Sequence, residues 1–213
     1  MNRRVDPEIL DSLPVDDPEA VRSRRDLRRI NWLMGNHRWL ARQIRKSMQP
    51  GWRVLELGAG DGAFGRRLVQ RGTLPAAALT GLDLAPRPSD WPADAEWSRQ
   101  DVLAGELPAV EIVVANLFLH HFEPAELERL GAAIPPGCRV ILCSEPARRI
   151  IHLLQSRILA LGPIGKVTRH DMPVSIRAGF LAQELPEFLG ISDWKISVST
   201  TFFGAYRLVA LRN

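Results

Sequence analysis

Between positions 21 and 48 the apolar residues Leu27, Ile30, Leu33, Met34, Leu40, Ile44 and Met48 recur at helical spacing. Gly35-Asn36 interrupts the stripe, so the pattern predicts two helices, or one with a kink. After Pro50-Gly51 the pattern changes to short apolar runs separated by helix-length segments. Positions 53–57 (RVLEL), 77–84 (AALTGLDL), 96–98, 111–115 (EIVVA) and 139–144 (RVILCS) read as strands. Helices are expected at 63–70, 124–133 and 148–161, the last ended by Pro163 to Gly165. Strands alternating with helices imply a parallel sheet covered on both faces. The tail is different: 194–200 and 203–211 alternate in strand fashion around a short turn, which predicts a closing antiparallel hairpin.

A chain of 213 residues suffices for one α/β domain and falls short of two. The expected division is a helical cap over 1–49 and a main domain over 50–213. Its segment near 145–190 is longer than a crossover requires. Disorder is expected only in the polar, proline-containing start, up to about Pro18. The most apolar segment, 150–161, contains His152, Gln155 and Arg157 and is too short to span a bilayer. The N-terminus lacks the apolar core of an export signal. Cys138 and Cys143 have no metal-ligand spacing, so buried, reduced thiols and a cytoplasmic location are expected. Oligomeric state is left open.

The net charge of +4 is concentrated at Arg22, Arg24, Arg25, Arg28, Arg29, Arg38, Arg42, Arg45 and Lys46. A solvated helix face is the favoured reading, with nucleic acid or peripheral contact with an anionic membrane as alternatives.

The candidate chemistry begins at Gly58-Ala59-Gly60-Asp61-Gly62, a turn after a strand where glycines admit a sharp bend and a close ligand. Asp83 ends the second strand, where a carboxylate can accept from both ribose hydroxyls of a nucleoside. Asp101 follows the third strand, in place to accept from an adenine amine, and Asn116 closes the fourth. All four points fall at carboxyl ends of strands, where open α/β sheets bind ligands.

VLELGAGDG resembles the glycine motif of class I S-adenosylmethionine-dependent methyltransferases, with Glu56 in the acidic position before the first glycine. GLDL resembles their ribose motif, RQDVL their adenine-side motif and NLFLHHF their fourth motif. The resemblance implies a Rossmann-like, mostly parallel seven-stranded α/β sheet with S-adenosyl-L-methionine as cofactor. Glu56, Gly58, Ala59, Gly60, Asp83, Leu84, Asp101, Val102 and Asn116 would bind it. A dehydrogenase fits less well, because Ala63 stands where its third glycine belongs and Gly62 comes one residue early.

The resemblance further implies methyl transfer to a small-molecule acceptor, either a phenolic, polyketide- or quinone-like hydroxyl or a carbon. His120 resembles the catalytic histidine of small-molecule O-methyltransferases, although His121-Phe122 replaces the family's Asp-Trp; a packing role for it stays open. The resemblance implies that the long segment near 145–190 forms a substrate lid; His121, Arg169, His170, Asp171 and Arg177 are candidate acceptor-side residues, with an ion-paired loop and a helix cap as the alternative for those from 169 to 177. Trp32, Met34 and Trp39 are candidate pocket walls or plain core. No metal is expected. A nucleic-acid methyltransferase and a non-catalytic cofactor-binding module are the rival readings. Against nucleic acid, Asn116 is followed by Leu117-Phe118 instead of the Pro-Pro-Tyr/Phe run associated with base amino methylation.

Overall fold

The computed structural model describes residues 1–14 and 16–212. The final position of the expected main domain, 213, lies outside them. Helices α1 (Ile9–Ser12), α2 (Pro18–Met34) and α3 (Asn36–Ser47) precede the first strand. Asp17 caps α2 by accepting from the Glu19 and Ala20 amides, with Pro18 at the first helical position. Gly35 divides α2 from α3 in the left-handed conformation at φ 69°, so the broken stripe is two helices.

The alternating region gives β1 (Val54–Leu57), α4 (Ala63–Gln70), β2 (Leu79–Asp83), β3 (Glu96–Arg99), β4 (Ile112–Asn116), α5 (Pro124–Ala133) and β5 (Val140–Pro146). Then come α6 (Ile150–Leu159), α7 (Lys166–Ala178), α8 (Glu184–Phe188), β6 (Lys195–Thr200) and β7 (Ala205–Leu211). The seven strands lie in the order β3-β2-β1-β4-β5-β7-β6. All neighbours up to β5 are parallel, whereas β7 runs antiparallel to both β5 and β6. Strand order reverses between β1 and β4, and the crevice at such a reversal is where α/β sheets take their ligands.

Strand alternation sends side chains to two cores. Leu55, Leu57, Val113, Ala115, Ile141 and Cys143 join α5, α8 and Phe180 on one face. Val54, Ile112, Val114, Val140 and Leu142 meet Leu40 and Ile44 of α3 and Phe64 and Leu68 of α4 on the other. Both cysteines are free and buried.

The start of the chain departs from expectation. It is tied down by ion pairs and backbone bonds to distant parts. Arg3 donates to the carbonyls of Ala178, His120 and Phe122 and lies 4.8 Å over the Phe180 ring. The Ile9 and Leu10 amides donate to the buried carboxylate of Asp171 at 3.0 and 3.1 Å. A polar, proline-containing segment looks disordered when read locally; here its polar groups find partners more than a hundred residues away.

Candidate active site

The glycine turn and the acid at the end of β2 form one unit. The Gly60 amide donates to Asp83 Oδ2 at 2.7 Å, and the Ala85 amide to Oδ1 at 2.8 Å. Gly58, Gly60 and Gly62 all have positive φ (63°, 57° and 69°), a backbone that L residues rarely adopt. Two of the three have packing reasons as well. A Cβ on Gly58 would fall 2.1 Å from the Phe118 ring, and one on Gly62 2.7 Å from Trp91. Beside Gly60 nothing lies within 4 Å, so that side of the turn is open.

Glu56 leaves β1 on the same face as Asn116 at the end of β4, by alternation and pairing register. Glu56 is buried, with Oε2 unpaired among the described residues. Burial, reinforced by the negative charge of Asp61 and Asp83, pushes its carboxyl up to about 8. Asn116 donates through Nδ2 to Asn31 Oδ1 at 3.1 Å and lies 3.5 Å from His37 Nε2, while its own Oδ1 is buried without a partner among the described residues. Asn36 donates to the same Asn31 oxygen. The His37 imidazole is pushed down to about 4, chiefly by burial, so it is neutral at pH 7. Asp101 is exposed and accepts from the Leu103 amide at 2.9 Å, Val102 is buried, and Leu84 is 69% exposed. A buried acceptor without a donor is uncommon in folded proteins, and Asn116 Oδ1 at the end of β4 fits a ligand that brings one.

The loop after β4 is held from behind by Glu145. This fully buried carboxylate on β5 accepts from the amides of Phe118 and Leu119 and lies 2.8 Å from His120 Nδ1. Leu117 takes a positive φ of 51° to turn the chain there. On the other side of the ring, His120 Nε2 is 3.4 Å from Glu8. Burial disfavours the imidazolium, but the hydrogen bonds and charges of Glu145 and Glu8 outweigh it and raise His120 to about 9. Glu8 moves the other way: burial pushes it up, and the bond and charge of His120 bring it below the usual range. His120 therefore rests as a protonated ring between two carboxylates at neutral pH.

His121 stacks on His120 with centroids 4.3 Å apart, and its Nδ1 is 3.3 Å from Asp11. Donor atoms of Glu8, His120 and His121 all lie within 4.8 Å of one another, a grouping a divalent cation could bridge in competition with the proton. Sequence spacing could not show this, because Glu8 arrives from the far end of the chain.

Arg169, His170 and Arg177 sit on α7, a helix with Pro173 inside it. Arg169 and His170 are exposed, and His170 Nδ1 lies 2.9 Å from Asp171. The Arg177 carbonyl accepts from the Arg4 amide. Ser175, one turn beyond Asp171, hydrogen-bonds Glu8. Thus α7 holds the N-terminal arm against the His120 loop. Trp32 is 69% exposed; Trp39 packs against the core and under the Arg207 guanidinium. Glu8, Glu145, His37 and Asn31 carry no motif, and only the fold brings them to the site.

No protein-family model matches the sequence, and no curated protein does either. Solved structures do. The plantazolicin methyltransferase BpumL, in complex with a pentazolic desmethylPZN analog and SAH, superposes with a TM-score of 0.66 at 12% identity over 92% of each chain. Magnesium protoporphyrin IX methyltransferase (ChlM) from Synechocystis PCC 6803, with bound SAM, gives 0.53 at 15% identity over 90% of this chain and 84% of the other. The methyltransferase domain of bacterial CtHen1-CN gives 0.56 at 11%, covering 85% and 98%. With its strand order, reversed seventh strand and glycine turn, the chain has the class I methyltransferase fold.

Proposed function

We propose that the protein transfers the methyl group of S-adenosylmethionine to a small organic acceptor, with a phenolic, polyketide- or quinone-like hydroxyl oxygen or a carbon as the target. The observation that carries this reading is the bond between the Gly60 amide and the Asp83 carboxylate, which joins the glycine turn and the strand-end acid into one unit at the sheet's carboxyl edge. That two of the solved structures of similar fold hold SAH or SAM supports the choice of cofactor.

The residues present fit that molecule. Asp83 keeps lone pairs for the ribose hydroxyls beyond those used by Gly60 and Ala85. Asp101, Val102 and Leu84 supply an acceptor and apolar cover for the adenine side. The unpaired Asn116 Oδ1 suits the amino-acid end, beside the backbone of Gly58, Ala59 and Gly60, and an ammonium bound there would draw Glu56 toward its ionised form. S-adenosylmethionine supplies a methyl carbon already activated by its sulfonium, so the protein's work is alignment and exclusion of water.

For a hydroxyl acceptor, His120 backed by Glu145 is the base once the resting imidazolium has lost its Nε2 proton: when Glu8 leaves the ring, one of the two carboxylates that hold that proton is gone, and the proton passes to Glu8 or to solvent. Glu145 fixes the Nδ1–H tautomer, and the acceptor takes the place now held by Glu8 at Nε2. His121, Arg169, His170 and Arg177 are assigned to the acceptor side on the same reading.

Calorimetric titration with S-adenosylmethionine and S-adenosylhomocysteine tests the core of the proposal. Micromolar binding should weaken at least ~tenfold in Asp83→Ala, about 1.4 kcal/mol. A folded protein that binds neither compound would overturn the reading. With a phenol acceptor found, His120→Gln should lower kcat by ~10²- to 10⁴-fold and leave cofactor affinity in place. An unchanged kcat would remove His120 from the chemistry.

A further inference from the structure

Helix α6 is turned inside out. Its polar residues His152 and Ser156 are 5% and 7% exposed, while Ile150, Ile151, Leu154 and Ile158 are 67%, 50%, 47% and 70% exposed. Leu161, just past its end, is 88% exposed. Positions 150, 154, 158 and 161 fall on one helical stripe, which an isolated domain would turn toward its core. The inward polar side is only partly bonded: Ser156 donates to the Leu153 carbonyl of its own helix, and His152 Nε2 is buried without a partner among the described residues. His152 Nδ1 lies 2.8 Å from Gln155 Oε1, and Gln155 Nε2 donates to the Phe202 carbonyl at 3.1 Å. A Cβ on Gly204 would meet the His152 ring at 3.1 Å, so the tip of the β6–β7 hairpin is drawn close against α6. That tip adds Phe202 and Phe203, 75% and 49% exposed, with rings edge to face at 5.3 Å. Seven large apolar side chains in adjoining exposed positions exceed the scattered exposure of an ordinary surface.

Charge indicates what covers them. From 147 to 170 the chain has no Asp or Glu, but it carries Arg148, Arg149, Arg157, Lys166 and Arg169. Arg148 is buried against Glu184; the other four are exposed. Beyond α6, Pro163 borders a groove shared with Pro18, Arg22, Arg25 and Arg29 of the α2 region. The acid in that groove, Asp26, is buried and spent on the Gly165 amide, Thr168 and Arg29. A second copy related by a two-fold axis, the commonest dimer symmetry, would set the same cationic rim against itself. A bilayer with anionic headgroups would meet both the stripe and the rim. Among the described residues no helix is long and apolar enough to cross a membrane, so α6 would lie in the interface plane.

We propose that α6, the Phe202–Phe203 tip and the flanking arginines dock this protein on an anionic lipid surface. Helix α7 packs on α6 and also touches the His120 loop, so it lies between the docking face and that loop. The proposal stands on exposure and charge, independently of the transfer reaction.

Vesicle flotation with the full chain tests it, comparing phosphatidylcholine vesicles with ones holding about 30 mol% phosphatidylglycerol. The protein should float with the anionic vesicles and be released as salt approaches ~0.5 M. The double variant Ile158→Ser, Leu161→Ser should partition at least ~tenfold less, and Arg149→Gln, Arg157→Gln should lose the preference for anionic lipid. Both pairs are exposed, and an unchanged thermal melt verifies the fold. No flotation, or equal and salt-insensitive flotation with both vesicle types, would overturn the proposal. A dimer seen by light scattering that the Ser variants dissolve, without vesicle binding, would overturn it in favour of a second copy.

Discussion

At the scale of single residues, Glu56 shows what a motif leaves out. Its place before the first glycine is visible in the sequence, but its protonation is set by burial and by Asp61 and Asp83 nearby. With its carboxyl raised from 4.5 to about 8, the folded state holds a proton that the unfolded chain releases above pH 4.5. This contribution to stability is therefore fully present below pH 4.5 and is lost as pH rises through about 8. Glu56→Gln keeps the shape and removes the titration, so its melting temperature should fall less than that of the parent across this interval. Parallel melting curves for the two proteins from pH 4.5 to 8 would mean that water or a counter-ion keeps Glu56 charged.

Elements were legible in proportion to how local their causes are. The helices expected at 63–70 and 124–133 are α4 and α5 to the residue, because their apolar spacing and starting signals lie within them. Strands β1, β2, β4 and β5 and the final hairpin were readable from short apolar runs and turn residues, whereas β3, Glu-Trp-Ser-Arg at the sheet edge, has only a weak signal. Helix α7 was not, since its run Thr168-Arg169-His170-Asp171 and the internal Pro173 suggest a loop. Its reasons are distant: Thr168 bonds to Ser23 and Asp26, and Asp171 to the amides of Ile9 and Leu10. The candidate site divides the same way. Asp83, Asn116 and His120 were legible because they end strands or open the next loop, whereas Glu8 and Glu145 needed the packed structure. Packing between elements also decides glycines that no turn requires. Gly131 lies inside α5, where alanine would ordinarily favour the helix by about 1 kcal/mol. A Cβ there would fall 1.9 Å from the Leu189 carbonyl oxygen after α8, and backbone cannot swing aside as a side chain would. Gly131→Ala should therefore lose stability, by roughly 1–3 kcal/mol from overpacking, in a denaturant titration. A gain in stability would show that α8 shifts freely over α5.

For the whole molecule, the N-terminal arm joins parts that the sheet alone leaves separate. Arg3 bonds the carbonyls of the His120 loop and of Ala178, Glu8 reaches His120 and Ser175, and the arm's amides engage Asp171. The arm thus closes the acceptor side of the proposed site, and access for an acceptor requires Glu8 to leave the His120 ring. Its position is readable from that ring in solution. Burial alone would lower His120, and it is raised to about 9 because Glu145 and Glu8 both bond it. Its proton therefore contributes stability that is fully present below pH 6.5 and lost as pH rises through about 9. Glu8→Gln removes one carboxylate and leaves Glu145, so His120 should titrate below the parent's value and the upper edge of that window should move down with it. Nuclear magnetic resonance of the His120 ring proton against pH measures this directly, and cofactor affinity, which the proposal assigns to Asp83 at the end of β2, should not change. A His120 titration identical in parent and variant would place the arm away from the loop in solution, and Glu8 would then hold no position that an acceptor has to claim.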